Sequence, residues 1–536
     1  MNRLFCLGFL FTFCFIGCSV QPEIPKEQIL ARIGSSIITT QDFIRRAEYT
    51  PRPAYCRQAN YVHKKIVLNS LIAEKLTAME FDKKLKPKVN DNYLEDFLKG
   101  RKEQAMRQIY FAEEFYSQTN VSDNEIKQSY KLAGRKITVE FLNLPDLEIT
   151  NKIKDLVSKD ISLDSIHSVL WGGSAPSREI TWFNREQDEV HQALFTDHIK
   201  KGQLIGPFKT EDNTYIMMMV KGWTDQLAIT ESDQAQRWDD VNEKITDQKS
   251  KKSYMKWAKN LMSGKTMNLN PDVFDVYANR AAEFFFKVDS SKQNALNQAI
   301  WNEPDILDQP TFITDRNDEL DPNSILLEYN GKNWTINDFN KELRSHPLVF
   351  RKRKMKRSEF PAQLRLAIAD IFRDIEITRE CYRAGYNRHW SINTYVDMWR
   401  QASSSQRYGA HIRSKYKEIN NQQQWLEFMN PVIDSLQKVY ARQVQINMDA
   451  FESIELTATD MIVTQRGVPY PNIAPSINSA RLTACESARR TRTSSNGARL
   501  LLIARIVSPS VVPSKTWKRG SAAISRACST AATLGK

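Results

Sequence analysis

Between Lys136 and Trp223 the hydrophobic and polar positions alternate, change period, and alternate again. Lys136-Ile-Thr-Val-Glu-Phe-Leu-Asn-Leu144 has the period of a strand with one face buried. Helical spacing follows around Ile149–Val157 and Gln187–Phe195, with a short strand between them at Ile180–Phe183. The stretch closes with two β-type runs, Ile199–Phe208 and Asn213–Val220, flanking the polar turn Lys209-Thr-Glu-Asp212. Gly202 stands where a helix has to stop before the first run. Strand, helices, strand, helix and hairpin in that order predict a compact α+β unit.

On both sides of it the period is mostly helical. Ile29–Phe43 reads as a short strand, a Gly/Ser turn and a helix start, with Thr39 or Thr40 as cap and Asp42 in the first turn. Leu68, Leu71, Ile72, Leu76 and Met79 mark one long helix, and Leu94, Phe97, Leu98, Ala105, Ile109 and Ala112 a second, from Tyr93 to about Tyr116. Such stripes are core packing first and polypeptide-binding grooves second. Val121-Ser-Asp-Asn-Glu125 is a capped helix start, and helical period returns from after Trp223 to about Met262 and again within Asn268–Glu303. Asp305–Asn323 is acidic and proline-bearing, a linker whose aspartates lack calcium-loop spacing. Ile325–Phe339 then lines up with Ile29–Phe43 at an offset of about 296, sharing Ile, Leu, Thr, Asp and Phe. A helix bearing Leu364, Ile368, Ile371, Phe372 and Ile375 follows it; the last clear helix is Trp425–Tyr440, with Glu455–Val468 as a closing strand pair.

Composition changes the picture at the two ends. Leu4–Ile16 is the one long apolar run, too short to span a bilayer, and Phe15-Ile-Gly-Cys18-Ser19 resembles a bacterial lipobox with Cys18 as the lipidated residue. An ordinary signal peptide is the alternative. Ser19 favours the outer membrane. The mean hydropathy of −0.52 excludes a membrane bundle. From Arg481 onward about eleven basic residues face Glu486 alone, so about +10 of the formal +13 lies there and the body is nearly balanced. That tail is nearly without acids and has no sustained period apart from Leu500–Val507, and it reads as out of frame with what precedes it. Cys56 and Cys381 are the body cysteines; two do not make a disulfide framework, and a single bridge between them is left open. The seven histidines (His63, His167, His191, His198, His346, His389 and His411) are scattered as surface or packing residues, so no metal or cofactor is expected.

The Lys136–Trp223 stretch resembles the parvulin (PpiC-type) peptidyl-prolyl isomerase domain, on Leu194-Phe195, Gly202, Leu204, Pro207-Phe208, Tyr215 and Val220. Ser122, Glu125, Ile126 and Tyr130 fit the helix that commonly precedes such a domain, and Ile29–Phe43 resembles the entry segment of SurA- and PrsA-type chaperones. The resemblance implies a parvulin-like four-stranded antiparallel sheet with helices, set in a mainly α-helical chaperone body. It implies an apolar cup for a proline ring, with Phe195, Trp182, Phe208 and Tyr215 as substrate-binding candidates. Lowering the barrier of ~20 kcal/mol to prolyl rotation takes such a cup plus polar groups that favour the twisted amide. The family uses two histidines for this. Here Glu140 and Ile216 stand at those positions, and Glu179-Ile-Thr-Trp-Phe183 replaces a glycine-rich segment, with Gly172-Gly173 upstream as a displaced remnant. A carboxylate at 140 facing the cup would have to be paired, neutralised or wet.

The expected organisation is a leader at 1–18, a tether at 19–28, a helical chaperone module at 29–121 and the parvulin-like domain at 122–224. A helical segment at 225–303, a linker at 304–323, a second strand–helix module with C-terminal helices at 324–477 and the basic tail at 478–536 complete it. The implied function is a lipid-anchored, periplasm-facing chaperone of the bacterial envelope with its isomerase activity lost. Its partners would be unfolded or proline-containing envelope polypeptides and, through Cys18, the membrane; nucleic acid is not expected. An active prolyl isomerase and a structural lipoprotein of an envelope assembly are the alternatives.

Overall fold

The computed structural model describes residues 29–50, 60–85, 92–184, 186–210, 214–283, 285–286, 320–352, 355–416, 422–457, 465 and 467–477. The leader with Cys18, the tether, Cys56, most of the 304–323 linker and the tail lie outside the described residues.

In chain order the first elements are β1 (Ile29–Ile33), β2 (Ser36–Thr39), α1 (Thr40–Glu48), α2 (Tyr61–Lys84) and α3 (Asn92–Phe111). One π-helical turn, Ala112–Tyr116, extends α3, and α4 (Asp123–Ala133) follows. The middle holds β3 (Arg135–Leu144), α5 (Leu147–Val157), α6 (Leu163–Trp171), β4 (Ser177–Thr181), α7 (Asp188–Leu194), β5 (Leu204–Lys209) and β6 (Tyr215–Asp225). Then come α8 (Glu231–Met262), β7 (Met267–Leu269), α9 (271–283), β8 (Ile325–Tyr329), β9 (Lys332–Thr335), α10 (Ile336–Ser345) and α11 (Phe360–Arg383). Last are α12 (Trp390–Lys415), α13 (Gln422–Val439), β10 (Val444–Ile446) and α14 (Met448–Ser453). The class is mixed α+β: helices dominate, and among the described residues the strands form three small antiparallel sheets, ordered β10-β1-β2, β4-β3-β6-β5 and β7-β8-β9.

Contacts divide the described residues into two units. One comprises 29–85, 388–457 and Ile477; the other comprises 92–387 with 465–476. The division falls at Leu85, so α3 packs with α10 and α11 in the second unit. Gly100 permits that packing, since a Cβ there would collide with the Ser345 carbonyl and the Tyr470 ring.

In the first unit α2 is the central helix, and its run Ile66–Leu76 is buried almost without interruption. Its polar members are satisfied internally. Glu74 accepts both Arg46 nitrogens, at 2.9 and 2.7 Å, from α1. Thr77 bonds Ser405 at 2.8 Å, in a buried Ser403-Ser404-Ser405 run of small residues on α12 that lets the two helices lie close. Lys64 sends its ammonium to the carbonyls of Phe451, Glu452 and Ile454, at 3.0, 3.3 and 2.7 Å, and so closes the end of α14.

The offset of 296 is a repeat of structure, and a larger one than the hairpin alone. Thr39 caps α1 by accepting from the Asp42 amide at 3.0 Å; Thr335 caps α10 by accepting from Asp338 at 3.1 Å. Each hairpin takes a third strand in one register: Ala31, Arg32 and Ile33 face Ile446, Gln445 and Val444, and Leu327, Glu328 and Tyr329 face Leu269, Asn268 and Met267. The Asn447 amide donates to Leu30 at 2.9 Å as the Asn270 amide donates to Leu326 at 3.0 Å. The strands that fill these places share a spacing, Met267-x-Leu-Asn-x-Asp-x-Phe274 and Val444-x-Ile-Asn-x-Asp-x-Phe451.

Glu455–Val468 lies partly outside the described residues, and its described members are not in a strand. In the basic run Phe350–Arg357, Arg351 holds Asp370 through two nitrogens at 2.9 and 2.6 Å, and Lys352 holds Glu359 at 2.8 Å. These charges are committed within the unit. Cys381 is a buried free thiol. No helix among the described residues is long and apolar enough to cross a membrane.

Candidate functional site

The sheet β4-β3-β6-β5 organises the candidate site. Directly paired residues on neighbouring strands share a face, so the register assigns every side chain. Phe141 pairs Met218 and Val139 pairs Val220; with Ile137 and Ile216 they pack toward α7, α4 and α8. Leu142 pairs Met217 and Leu144 pairs Tyr215; these pack toward α5 and α6.

This register separates the two positions of greatest interest. Glu140 pairs Met219 and stands on the α5–α6 face. Ile216 pairs Phe208 on β5 and stands on the opposite face. Glu140 is paired, as a sheltered carboxylate has to be: its Oε1 lies 2.8 Å from Lys221 Nζ, with the Glu140 side chain 16% exposed. Lys221 is what sequence reasoning missed. Lys221 lies two residues beyond Met219, the partner of Glu140, at an irregularity in pairing between Thr138 and Val139, and no hydrophobic period reveals that cross-strand neighbour.

The aromatic candidates divide the same way. Trp182 and Phe195 are buried together, ring centroids 5.3 Å apart, and Phe208 packs against the same cluster. Tyr215 lies on the other face with Leu204. Where a cup was expected, His191 fills the space, its ring 4.5 Å from Trp182 and 4.7 Å from Phe195. Its Nε2–H donates to the Trp182 carbonyl at 3.1 Å, which fixes the tautomer. Burial, then the charge of Lys244, lowers its pKa to about 4, so the ring is neutral at physiological pH. The imidazole serves as a packing aromatic.

The sheet's α5–α6 side has a different character. The short helix α6, which the sequence pattern does not flag, is capped by Ser162, whose side chain accepts from the Ser165 amide at 3.1 Å. It buries Leu163 and Ile166 against the sheet. Its last turn, Val169-Leu-Trp171, then faces water, at 86%, 53% and 50% exposed. Gly172 and Gly173 end it with φ of 77° and 72°, values only glycine adopts without strain. These glycines terminate a helix and do not line the aromatic cluster. Among the described residues no group of three or more His, Cys, Asp or Glu is placed to hold a metal ion.

No protein-family model matches the chain, and no curated protein matches it.

Proposed function

We propose that the protein is a parvulin-related holding chaperone, an envelope lipoprotein that binds unfolded polypeptide without turning over prolyl bonds. The strand order β4-β3-β6-β5, with two helices between β3 and β4 and one between β4 and β5, supports the parvulin-like reading. The separation of Glu140 from Ile216 and the filled space around His191 support a loss of catalysis: a twisted amide finds neither a paired polar core nor an open cup.

The observation that carries the holding function is the exposed apolar turn Val169-Leu-Trp171. Three such side chains in a row on a helix end leave apolar surface that folding has not used. They are far short of the ~1,200–2,000 Å² a stable protein interface buries, and suit an apolar segment a few residues long.

The test pairs two assays on the same chain. Suppression of aggregation of a chemically unfolded client should be strong in the wild type and weakened in the triple variant Val169→Ser, Leu170→Ser, Trp171→Ser. Prolyl isomerisation of short peptides should run at the uncatalysed rate. Turnover that disappears in Phe195→Ala would replace the holding reading with the isomerase one. Stoichiometric co-purification with one folded partner, without suppression, would favour a structural lipoprotein.

A further inference from the structure

A second place in the molecule has the geometry of a binding site, and it is independent of the sheet. In the second unit α3, α8, α11 and the turn at 467–469 line a half-open cavity of about 250 Å³. We propose that this cavity binds a small carboxylate monoanion carrying an apolar body, such as a peptide C-terminal carboxylate or a short-chain fatty acid.

Its walls have two chemistries. Met255, Ala258 and Met262 recur at helical spacing and turn an apolar strip of α8 into the cavity. Opposite are Arg107 of α3 and Arg373 of α11, with Lys259 of α8 at the rim and Asp374 as the one acid in the lining.

The charges around Asp374 do not cancel. Arg107 is 9% exposed; its Nη1 donates to Thr378 Oγ1 at 2.8 Å and its Nη2 lies 3.4 Å from Asp374. Arg373 spans Asp370 and Asp374, each at 2.8 Å, and Asp370 also holds Arg351. His346 Nε2 is 3.1 Å from Asp374. Two carboxylates thus serve three guanidiniums and an imidazole. Burial alone would raise the Asp374 carboxyl, but Arg373, Arg107 and His346 outweigh it and hold the group well below the usual carboxylate range. It is ionised and fully engaged. Burial shifts the neighbouring Glu103 up, and its Oε1 accepts from the Tyr382 hydroxyl at 3.2 Å. Lys259 has no carboxylate within ion-pair distance among the described residues. An anion entering the cavity meets an excess of positive charge, with donors suited to a carboxylate.

The walls are also set in advance. Gln104 clasps the 467–470 turn by donating to the Tyr470 carbonyl at 3.0 Å and accepting from its amide at 2.9 Å. Arg101 donates to the Asn472 carbonyl at 2.7 Å. Phe111 at the end of α3 and Phe115 in the π-helical turn after it stand edge-on to Tyr254, each at 5.2 Å, which steadies that ring in the lining. Pre-formed walls reduce the ordering that binding requires. The volume falls below the ~300–1,000 Å³ of pockets for drug-sized ligands, so the occupant is of amino-acid size. The apolar strip of Met255, Ala258 and Met262 requires an apolar body on the ligand, which inorganic phosphate lacks, and this favours a carboxylate with a hydrocarbon side chain.

The experiment is calorimetric titration of the whole chain with N-acetyl-leucine, its amide, hexanoate and inorganic phosphate. One or both acids should bind, with the amide about tenfold weaker or worse, ~1.4 kcal/mol, and phosphate no tighter than the amide. The tighter of the two acids identifies the source as a peptide end or a fatty acid. Lys259→Met, at an exposed helix position, should weaken the acids by about tenfold and leave the amide and the melting temperature unchanged. Ala258→Trp should abolish binding by filling the cavity. Equal binding of acid and amide, tighter binding of phosphate, unaltered acid affinity in Lys259→Met, or no binding of either acid at millimolar concentration by a natively melting chain would each overturn the proposal.

Discussion

The hairpin at 29–39 with the strand at 444–446, and the hairpin at 325–335 with the strand at 267–269, are two builds of one small structure. They agree in register, in the threonine caps, and in the Asn amide that bonds a Leu carbonyl. Each also sets a cation from the next long helix over its signature phenylalanine: Lys64 lies 5.1 Å from the Phe451 ring, and Arg365 lies 4.8 Å from that of Phe274. They differ in where the third strand comes from. In the second build it precedes the hairpin by about 56 residues, from Leu269 to Ile325; in the first it follows by about 411, from Ile33 to Val444. Loop-closure entropy grows by only ~0.6 kcal/mol per doubling of length, so the longer route costs about 2 kcal/mol more. Chain order is cheap to change when the pairing surface is kept.

The equivalence breaks most visibly if its two phenylalanines are unequal. Phe451→Ala and Phe274→Ala should each lower the stability of their own unit by about 3–5 kcal/mol, measured by denaturant melts followed by hydrogen exchange. A much smaller loss at one site would mean that its strand is held by something else.

A pH series sets both builds against the four-stranded sheet. His191 has a folded pKa of about 4 against 6.5 in the unfolded chain, so between these values the unfolded state binds the extra proton. Stability of the sheet is therefore complete above about pH 6.5 and declines as pH falls toward about 4, by up to about 3 kcal/mol. Amide exchange in β3 and β6, corrected for intrinsic rates, should follow this curve, and His191→Phe should flatten it.

Lys64 sharpens the comparison, because its three carbonyl contacts have no counterpart at Arg365 among the described residues. Lys64→Met should cost the first unit about 1.5–3 kcal/mol, the range for hydrogen bonds to a charged group. Arg365→Met, at a side chain 55% exposed, should cost under about 1 kcal/mol in thermal melts. The smallest effect is expected at the caps. Thr39→Ala and Thr335→Ala should each lose about 1 kcal/mol, and a difference between them beyond about 0.5 kcal/mol would show that the caps are not equivalent.

Much of this architecture is legible in the sequence because local chemistry dictates it. Alternation locates β3, and Ser122 with Glu125 announces α4 through a capping box that forms with both bonds. The hairpin half of the repeat shows itself because Thr, Asp and Phe recur at fixed spacing. The strand half, with its own Asn-x-Asp-x-Phe, escapes notice because nothing near it in the chain indicates its partner. Helix α6 escapes because its last turn exposes the apolar residues that period arguments assign to a core. The site is harder still. Glu140 and Ile216 are isolated positions in the sequence, and only the register puts Lys221 beside the one and the other on the opposite face of the sheet. The cavity around Arg107, Arg373 and Asp374 gathers residues more than 250 positions apart, and no spacing rule reaches that far.

The long reach from Ile33 to Val444 also bears on how the chain is made. A ribosome adds roughly 5–20 residues per second, so the first hairpin exists for about 20–80 s before its third strand is synthesised. Through that interval β1, which ends as the middle strand, has an unpaired edge and the apolar side chains Leu30 and Ile33 without their full cover. The second hairpin, whose partner strand is synthesised ahead of it, has no such wait. The first hairpin, made long before its third strand, is therefore among the last parts of these two builds to become native.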